Sequence, residues 1–137
     1  MRSALVLALL VAFLVTGCAG RSDPSHVVRA WADALKADDN ERAASLFARD
    51  AVVIQGDLAR TFHTNRQAVE WNARLPCSGT IIHLRRRGSA VTATFRLGDR
   101  RSSRCGDPPG AEATAVFVVE GGKIVLWVQT GSQVPIH

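Results

Sequence analysis

Tyrosine is absent from this 137-residue chain, methionine occurs once and cysteine three times. Each scarcity removes a class of chemistry. Without tyrosine there is no phenol to steady an oxyanion in a dry pocket, the donor that isomerase-type sites require. No two cysteines stand at Cys-x-x-Cys spacing, so thiol redox chemistry has no motif here. No glycine-rich phosphate loop, no Ser-His-Asp or Cys-His set and no metal-ligand spacing occurs, and nothing asks for a cofactor. The arginines come without the aromatics or the reader helix that nucleic-acid binding would add, which argues against such a partner. There is also no apolar run of the ~20 residues that a spanning helix needs.

What is present begins at the N-terminus. Arg2 precedes an unbroken small or apolar stretch from Ala4 to Val15, about 12 residues, inside the ~7–15 of a secretory h-region. The stretch ends in Val15-Thr16-Gly17-Cys18, which resembles the lipobox of bacterial lipoproteins. The resemblance implies a signal peptide over residues 1–17 removed by signal peptidase II and a lipid (palmitate-type acyl chains) on Cys18. It implies a protein held on the extracytoplasmic face of a bacterial cell envelope. Residues 18–24, with Pro24 and small polar neighbours, read as a tether.

Removal of residues 1–17 leaves 120 of the 137, enough for one domain with a core and too few for two. The formal charge of +5 becomes +4, since Arg2 leaves with the signal. Basic residues cluster at Arg85-Arg86-Arg87 and Arg100-Arg101, with Arg104 close behind. They form either a solvated surface or a patch lying against anionic headgroups. Cys77 and Cys105 remain after Cys18, about 28 residues apart, and an exported chain would usually close them into a disulfide. Closure of such a loop stabilises by about 3–4 kcal/mol on a chain-entropy model. Free thiols and a metal site are the alternatives, the latter weak because no histidine lies near either cysteine.

The domain proper reads as residues 25–131, with a tail over 132–137. Val27, Val28, Trp31, Ala32 and Leu35 recur at helical spacing behind Ser25 as a cap. Asp38 and Glu41 have capping-box spacing and open a second helix running to about Ala48. Val52-Val53-Ile54 reads as a short strand ended by Gly56-Asp57. Thr64 and Gln67 open a third helix over 65–74 that Pro76 closes. Four strands follow: one through Ile81, Ile82 and Leu84, one over Val91–Leu97, one over Ala113–Val119 and one over Lys123–Thr130. The polar segment Gly98–Gly110 is a long loop pinned by Cys105. The layout is α+β, three helices packed on an antiparallel sheet.

Order and residues together resemble the nuclear-transport-factor-2-like superfamily, which includes SnoaL-like polyketide cyclases, ketosteroid isomerase and limonene-epoxide hydrolase. The resemblance is carried by Trp31-Ala32-Asp33-Ala34-Leu35, Asp38-Asp39-Asn40, Ala43 to Val53, the Thr64–Trp71 segment and Gly122 to Trp127. It implies a curved sheet wrapped into an open cone around a pocket. Trp31, Trp71, Phe95, Phe117 and Trp127 would line that pocket, with Gln129 and His83 as polar members. The same aromatics would equally serve as plain core. His83 is the one histidine within a strand, and its parity groups it with Ile81, Arg85 and Arg87. Facing inward it could act as acid or base; facing outward it is a surface residue.

The family's tyrosine–aspartate site has no counterpart here, and Asp99 and Arg101 lie in a loop outside the cone. The functional expectation is a membrane-anchored, noncatalytic module that binds a small apolar or lipid-like ligand. The alternative is a small-molecule enzyme of isomerase, cyclase or epoxide-hydrolase type using a pocket His or Asp. Expected partners are the membrane through Cys18, that ligand, and a second copy through the sheet. Replacing Cys18 by Ala should leave an uncleaved precursor, and the intact mass of the membrane fraction should show a lipidated Cys18; an unmodified cysteine there would refute the anchor.

Overall fold

In the computed structural model, residues 23–133 are described; residues 1–22, which hold the expected signal segment and Cys18, and residues 134–137 lie outside them. Helix α1 (Pro24–Lys36) starts because Asp23 accepts a hydrogen bond from the Ser25 backbone N–H at 2.9 Å and Pro24 presets the first helical φ. The cap is therefore Asp23, not Ser25, since only the residue before Pro24 can leave the helix axis. The Ser25 N–H, and after it the charge of Arg86, hold the Asp23 carboxyl below its ordinary range. The buried stripe of α1 is Val27, Val28, Trp31, Ala32, Ala34 and Leu35.

The next turn departs from the expected capping box. Asp39, not Asp38, caps α2 (Asn40–Ser45), accepting from the Arg42 N–H at 3.0 Å. Asp38 instead ends α1 in the left-handed region at φ 60°, a conformation that usually goes to glycine or asparagine. Its carboxylate is occupied by a longer-range partner, described below. Helix α2 is also shorter than its apolar pattern suggests. The Ile124 N–H donates to the Leu46 carbonyl at 2.8 Å, and Phe47 enters strand β1 (Phe47–Gln55).

A turn at Gly56, φ 60°, leads into β2 (Leu58–Phe62), a strand with no clear alternation in the sequence. Helix α3 (Asn65–Arg74) opens on the reciprocal Thr64–Gln67 capping box, as its spacing predicts. Then come β3 (Cys77–Arg87), β4 (Ala90–Asp99), β5 (Glu112–Glu120) and β6 (Lys123–Gln133). The sheet order is β2-β1-β6-β5-β4-β3. β3 to β6 form the expected antiparallel meander, whereas β1 runs parallel to β6. The sheet is curved and unclosed, with the helices on its inner face. Among the described residues no helix is long and apolar enough to cross a membrane.

Seven aromatic rings make one connected core. Trp31 on α1 lies 5.3 Å from Phe117, 6.0 Å from Phe95 and 6.3 Å from Trp127, centroid to centroid. Trp71 on α3 lies 5.0 Å from Trp127, and through Phe47 and Phe62 it carries the network to β1 and β2. These are edge-on or tilted arrangements, the ones ring quadrupoles favour. Gly79 is required by packing, since a Cβ there would meet the Cβ of Phe95 at 2.8 Å.

The loop between β4 and β5 is held at two points. Cys77 and Cys105 form a disulfide, their Cα atoms 4.4 Å apart. Arg100, expected as part of a surface cluster, is buried. Its Nε donates to Asp38 Oδ1 at 2.9 Å, Nη1 to the carbonyls of Asn72 at 2.6 Å and Leu75 at 3.0 Å, and Nη2 to Asn40 Oδ1. One guanidinium thus satisfies the open C-terminus of α3 and holds the α1–α2 turn. The correction has a simple cause: a planar five-donor fork can be buried when every donor is used.

Replacing Arg100 by Met should cost about 2–4 kcal/mol in denaturant unfolding, because it strands buried carbonyls. The Asp38 carboxyl is held below its ordinary value, chiefly by a hydrogen bond from Ser102 and further by the charge of Arg100. A carboxyl depressed in the fold contributes fully above its unfolded value of 3.8 and loses that contribution as pH falls through the folded value. Acid unfolding should therefore show a limb below pH 3.8 that is shallower in Arg100→Met and retains the part due to Ser102.

Candidate functional site

Trp31 and Leu35, on the C-terminal half of α1, face the inner side of the sheet. A cavity of about 150 Å³ opens there. Trp31, Ala32 and Leu35 form one wall, Gly79, Phe95 and Leu97 another, and Ala113, Ala115, Trp127 and Gln129 the floor. Pro76, Cys77 and Asp107 stand at one end. Among the described residues, Asp107 is the only ionisable lining side chain apart from the disulfide-bonded Cys77.

Of the residues expected to line the pocket, Trp31, Phe95, Trp127 and Gln129 do so. Phe117 and Trp71 do not. Phe117 is fully buried beneath Trp31, and Trp71 lies behind Trp127, bordering a separate cleft of about 240 Å³ with Val53, Leu58 and Arg74. His83 is exposed on the outer face of β3. The pairing shifts by one residue between Ile81, opposite Phe95, and His83, opposite Thr94. That bulge at Ile82 reverses the parity by which His83 would have followed Ile81 inward.

The polar side chains lining the cavity are Gln55, Ser78, Asp107, Thr114 and Gln129, and two indoles and the buried Asn72 behind Trp31 add to them. The Trp31 Nε1–H donates to Asn72 Oδ1 at 2.9 Å, and the amide of Asn72 is turned by its own Nδ2–H to the Ala68 carbonyl at 2.8 Å. Asn72 is fully buried. A polar residue at the same helical spacing as Ala68 and Trp71 was the sequence signal for it. Gln55 Nε2 donates to Gln129 Oε1 at 2.9 Å, tying the end of β1 to β6 beside the cavity. Trp127 differs: it is 5% exposed, and its Nε1–H has no hydrogen-bond partner. A buried donor left unmade costs about 1–3 kcal/mol, so it marks either strain or a missing acceptor.

Two other polar sets are present, one beside a separate cleft and one at the end of this cavity. His63 Nδ1 and Asp50 Oδ1 stand 2.9 Å apart beside a cleft of about 360 Å³ on Phe47, Phe62 and Arg49, but both side chains are largely exposed. Cys77, Cys105 and Asp107 bring potential ligand atoms within 4.8 Å of one another. Two of those atoms are the bonded sulfurs, so the donor set does not suit a metal.

With this geometry in view, the relatives are informative. The model of the SnoaL-like domain family matches residues 28–127, and the chain belongs to that family. Among solved structures, an NTF2-like protein of unknown function from Cytophaga hutchinsonii is similar at 10% identity with a TM-score of 0.64, covering 79% of this chain and 88% of that one. A protein with a ketosteroid isomerase-like fold from Catenulispora acidiphila, in complex with trimethylamine, is 22% identical with a TM-score of 0.63, covering 77% and 84%. An LEH-like epoxide hydrolase from M. tuberculosis is 20% identical with a TM-score of 0.59, covering 77% and 80%. At these identities the likeness is one of fold. No curated protein matches the chain.

The two indoles should answer differently to Trp→Phe. Trp31→Phe leaves Asn72 Oδ1 buried without its donor and should destabilise by about 1–3 kcal/mol. Trp127→Phe removes an unpartnered donor and should be near neutral or stabilising in the ligand-free protein. Paired denaturant melts check this; equal losses at both positions would mean that the Trp127 N–H is satisfied.

Proposed function

We propose that this SnoaL-like protein is a membrane-anchored extracytoplasmic lipoprotein that binds a small, neutral, largely apolar molecule without transforming it. The observation that carries the reading is a cavity lined mainly by apolar side chains, one of which, Trp127, has a buried Nε1–H with no hydrogen-bond partner among the described residues. Such a donor selects a ligand with one acceptor oxygen or nitrogen, and the apolar walls supply affinity at about 25 cal/mol per Å² buried. An aqueous anion is disfavoured, because Asp107 at the rim is acidic and no lining side chain is cationic.

Size narrows the class further. Ordinary ligand sites start at roughly 300 Å³. An apolar cavity of about 150 Å³ takes a molecule of benzene size. The ligand is thus a single ring or a short chain rather than a steroid or an intact lipid. Noncatalytic binding fits the side chains better than the enzymatic alternative. General acid–base work needs a positioned proton carrier facing a second group across the substrate. His83 is on the outer face, and Asp107 sits at the rim without a matching donor such as tyrosine.

Native mass spectrometry of the protein purified from its own envelope should show an adduct within that size class. Trp127→Phe should weaken a ring compound bearing one carbonyl by about 5–10-fold, the worth of one buried hydrogen bond, while leaving its hydrocarbon analogue unaffected. Equal affinity of the two proteins for the carbonyl compound would refute the donor role. Turnover of any such compound would refute the noncatalytic reading.

A further inference from the structure

We propose that the β3–β4 hairpin end of the domain, carrying Arg85, Arg86 and Arg87, is its membrane-facing end and docks on anionic lipid headgroups, so that the cavity opens away from the bilayer. The proposal rests on the reading of Cys18 as the anchor and adds an orientation to it.

Chain length sets the first constraint. Cys18 precedes Asp23 by five residues, which reach at most about 18 Å when fully extended. Asp23 caps α1, and its Oδ1 lies 3.5 Å from Nη1 of Arg86. The root of the tether and the arginine cluster are therefore one place on the surface. A lipid on Cys18 holds that place within a tether length of the headgroups, and a shorter stand-off brings the charges within the ~8 Å over which they act in physiological salt.

Charge sets the second constraint. Arg85, Arg86 and Arg87 are all exposed, on the edge strand of the sheet. The neighbouring β5–β6 hairpin adds Lys123 and Glu120, paired in register. Against three arginines and this lysine stand Asp23 and Glu120, so the end is basic. At the other end Arg100 is bound to Asp38 and Arg104 lies 4.0 Å from Asp99, while the exposed Arg101 and Lys36 are offset by Asp107 at the cavity. The hairpin end groups three exposed arginines on one strand edge beside the root of the tether, which suits it to an anionic surface.

Topology places the cavity at the opposite end. β3 runs from Cys77, beside the cavity, to Arg87, a path of roughly 33 Å at ~3.3 Å per residue. α1 runs the other way along it, from Asp23 beside Arg86 to Lys36, whose Nζ donates to Thr80 Oγ1 at 3.1 Å. A domain standing on its arginines therefore presents Pro76, Cys77 and Asp107 to the aqueous phase. Its ligand would enter from solution rather than from the lipid.

The test uses the mature lipidated protein in phosphatidylcholine vesicles and in vesicles of phosphatidylcholine and phosphatidylglycerol at about 7:3. Arginine-selective dicarbonyl labelling is read by peptide mass spectrometry, and the intact mass reports the lipid on Cys18. Arg85 and Arg87 should label several-fold more slowly on the anionic vesicles, Arg104 equally on both. The difference should vanish near 1 M salt, where the screening length falls to ~3 Å. Lipid on Cys18 with equal labelling of Arg85 and Arg87 would overturn the orientation alone, leaving the triplet a solvated strand edge. Slower labelling of Arg104 would overturn it in favour of the inverse orientation. An unmodified Cys18 would overturn the anchor and the orientation together.

Discussion

The buried guanidinium of Arg100 is the contact on which the cavity end of the molecule depends. It reaches from a loop that is otherwise polar and irregular into the gap between α3 and the α1–α2 turn. No apolar residue could replace it, because what it meets there is the unpaired carbonyl set of a helix terminus and a carboxylate. Asp38 accepts a left-handed backbone that costs it conformational energy, and the ion pair with Arg100 at 2.8 Å offsets that cost. The guanidinium ties the end of α3 to the turn that follows α1. The Trp31 indole on α1 reaches Asn72 on α3.

Aromatic rings wall the cavity. Three tryptophans and two phenylalanines converge on one stretch of sheet, and rings this rigid cannot interdigitate as aliphatic chains do. Trp31 is locked by a hydrogen bond across the helix layer, and Phe95 by its close approach to Gly79. Trp127 is held by rings on both sides, yet its N–H is unpartnered. A core optimised only for stability would place phenylalanine or leucine there. Retaining a donor in that position makes sense where something else completes it.

The repeating parts of the fold were legible in the sequence, and the exceptions arise where a distant partner overrides a local rule. Thr64 and Gln67 announce α3 because a capping box is satisfied within four residues. Val91 to Leu97 announces β4 because alternation is a property of the strand itself. Asp38 looks like a cap until Arg100, 62 residues away, claims its carboxylate. Phe47 continues the apolar stripe of α2 but is taken into β1 by pairing with β6. The orientation of His83 was left open by its parity, and it is settled by a single bulged residue, Ile82, which no periodicity reveals. The buried state of Arg100 was likewise invisible, since a charged residue in a polar loop reads as solvated until its five donors are found engaged. Four cavity residues were legible from the family resemblance. Asn72 and Gln55, which set the polar character around them, were not singled out.

α1 joins the arginine end of the molecule to the cavity end. Its first turn holds Asp23 against Arg86, and its last two turns supply Trp31, Ala32 and Leu35 to the cavity. A 13-residue helix is about 20 Å long and stiff on that scale. Whatever fixes its N-terminus relative to a surface therefore fixes the distance and direction of the cavity as well. The Cys77–Cys105 bond and Arg100 act at the far end of the same helix, holding the loop against Pro76 and the end of α3. The arrangement separates two demands. The hairpin end is charged and needs no internal space, while the cavity end is apolar and tied down so that its space persists. One helix thus spans the distance between the arginine edge and the apolar cavity and keeps the two apart.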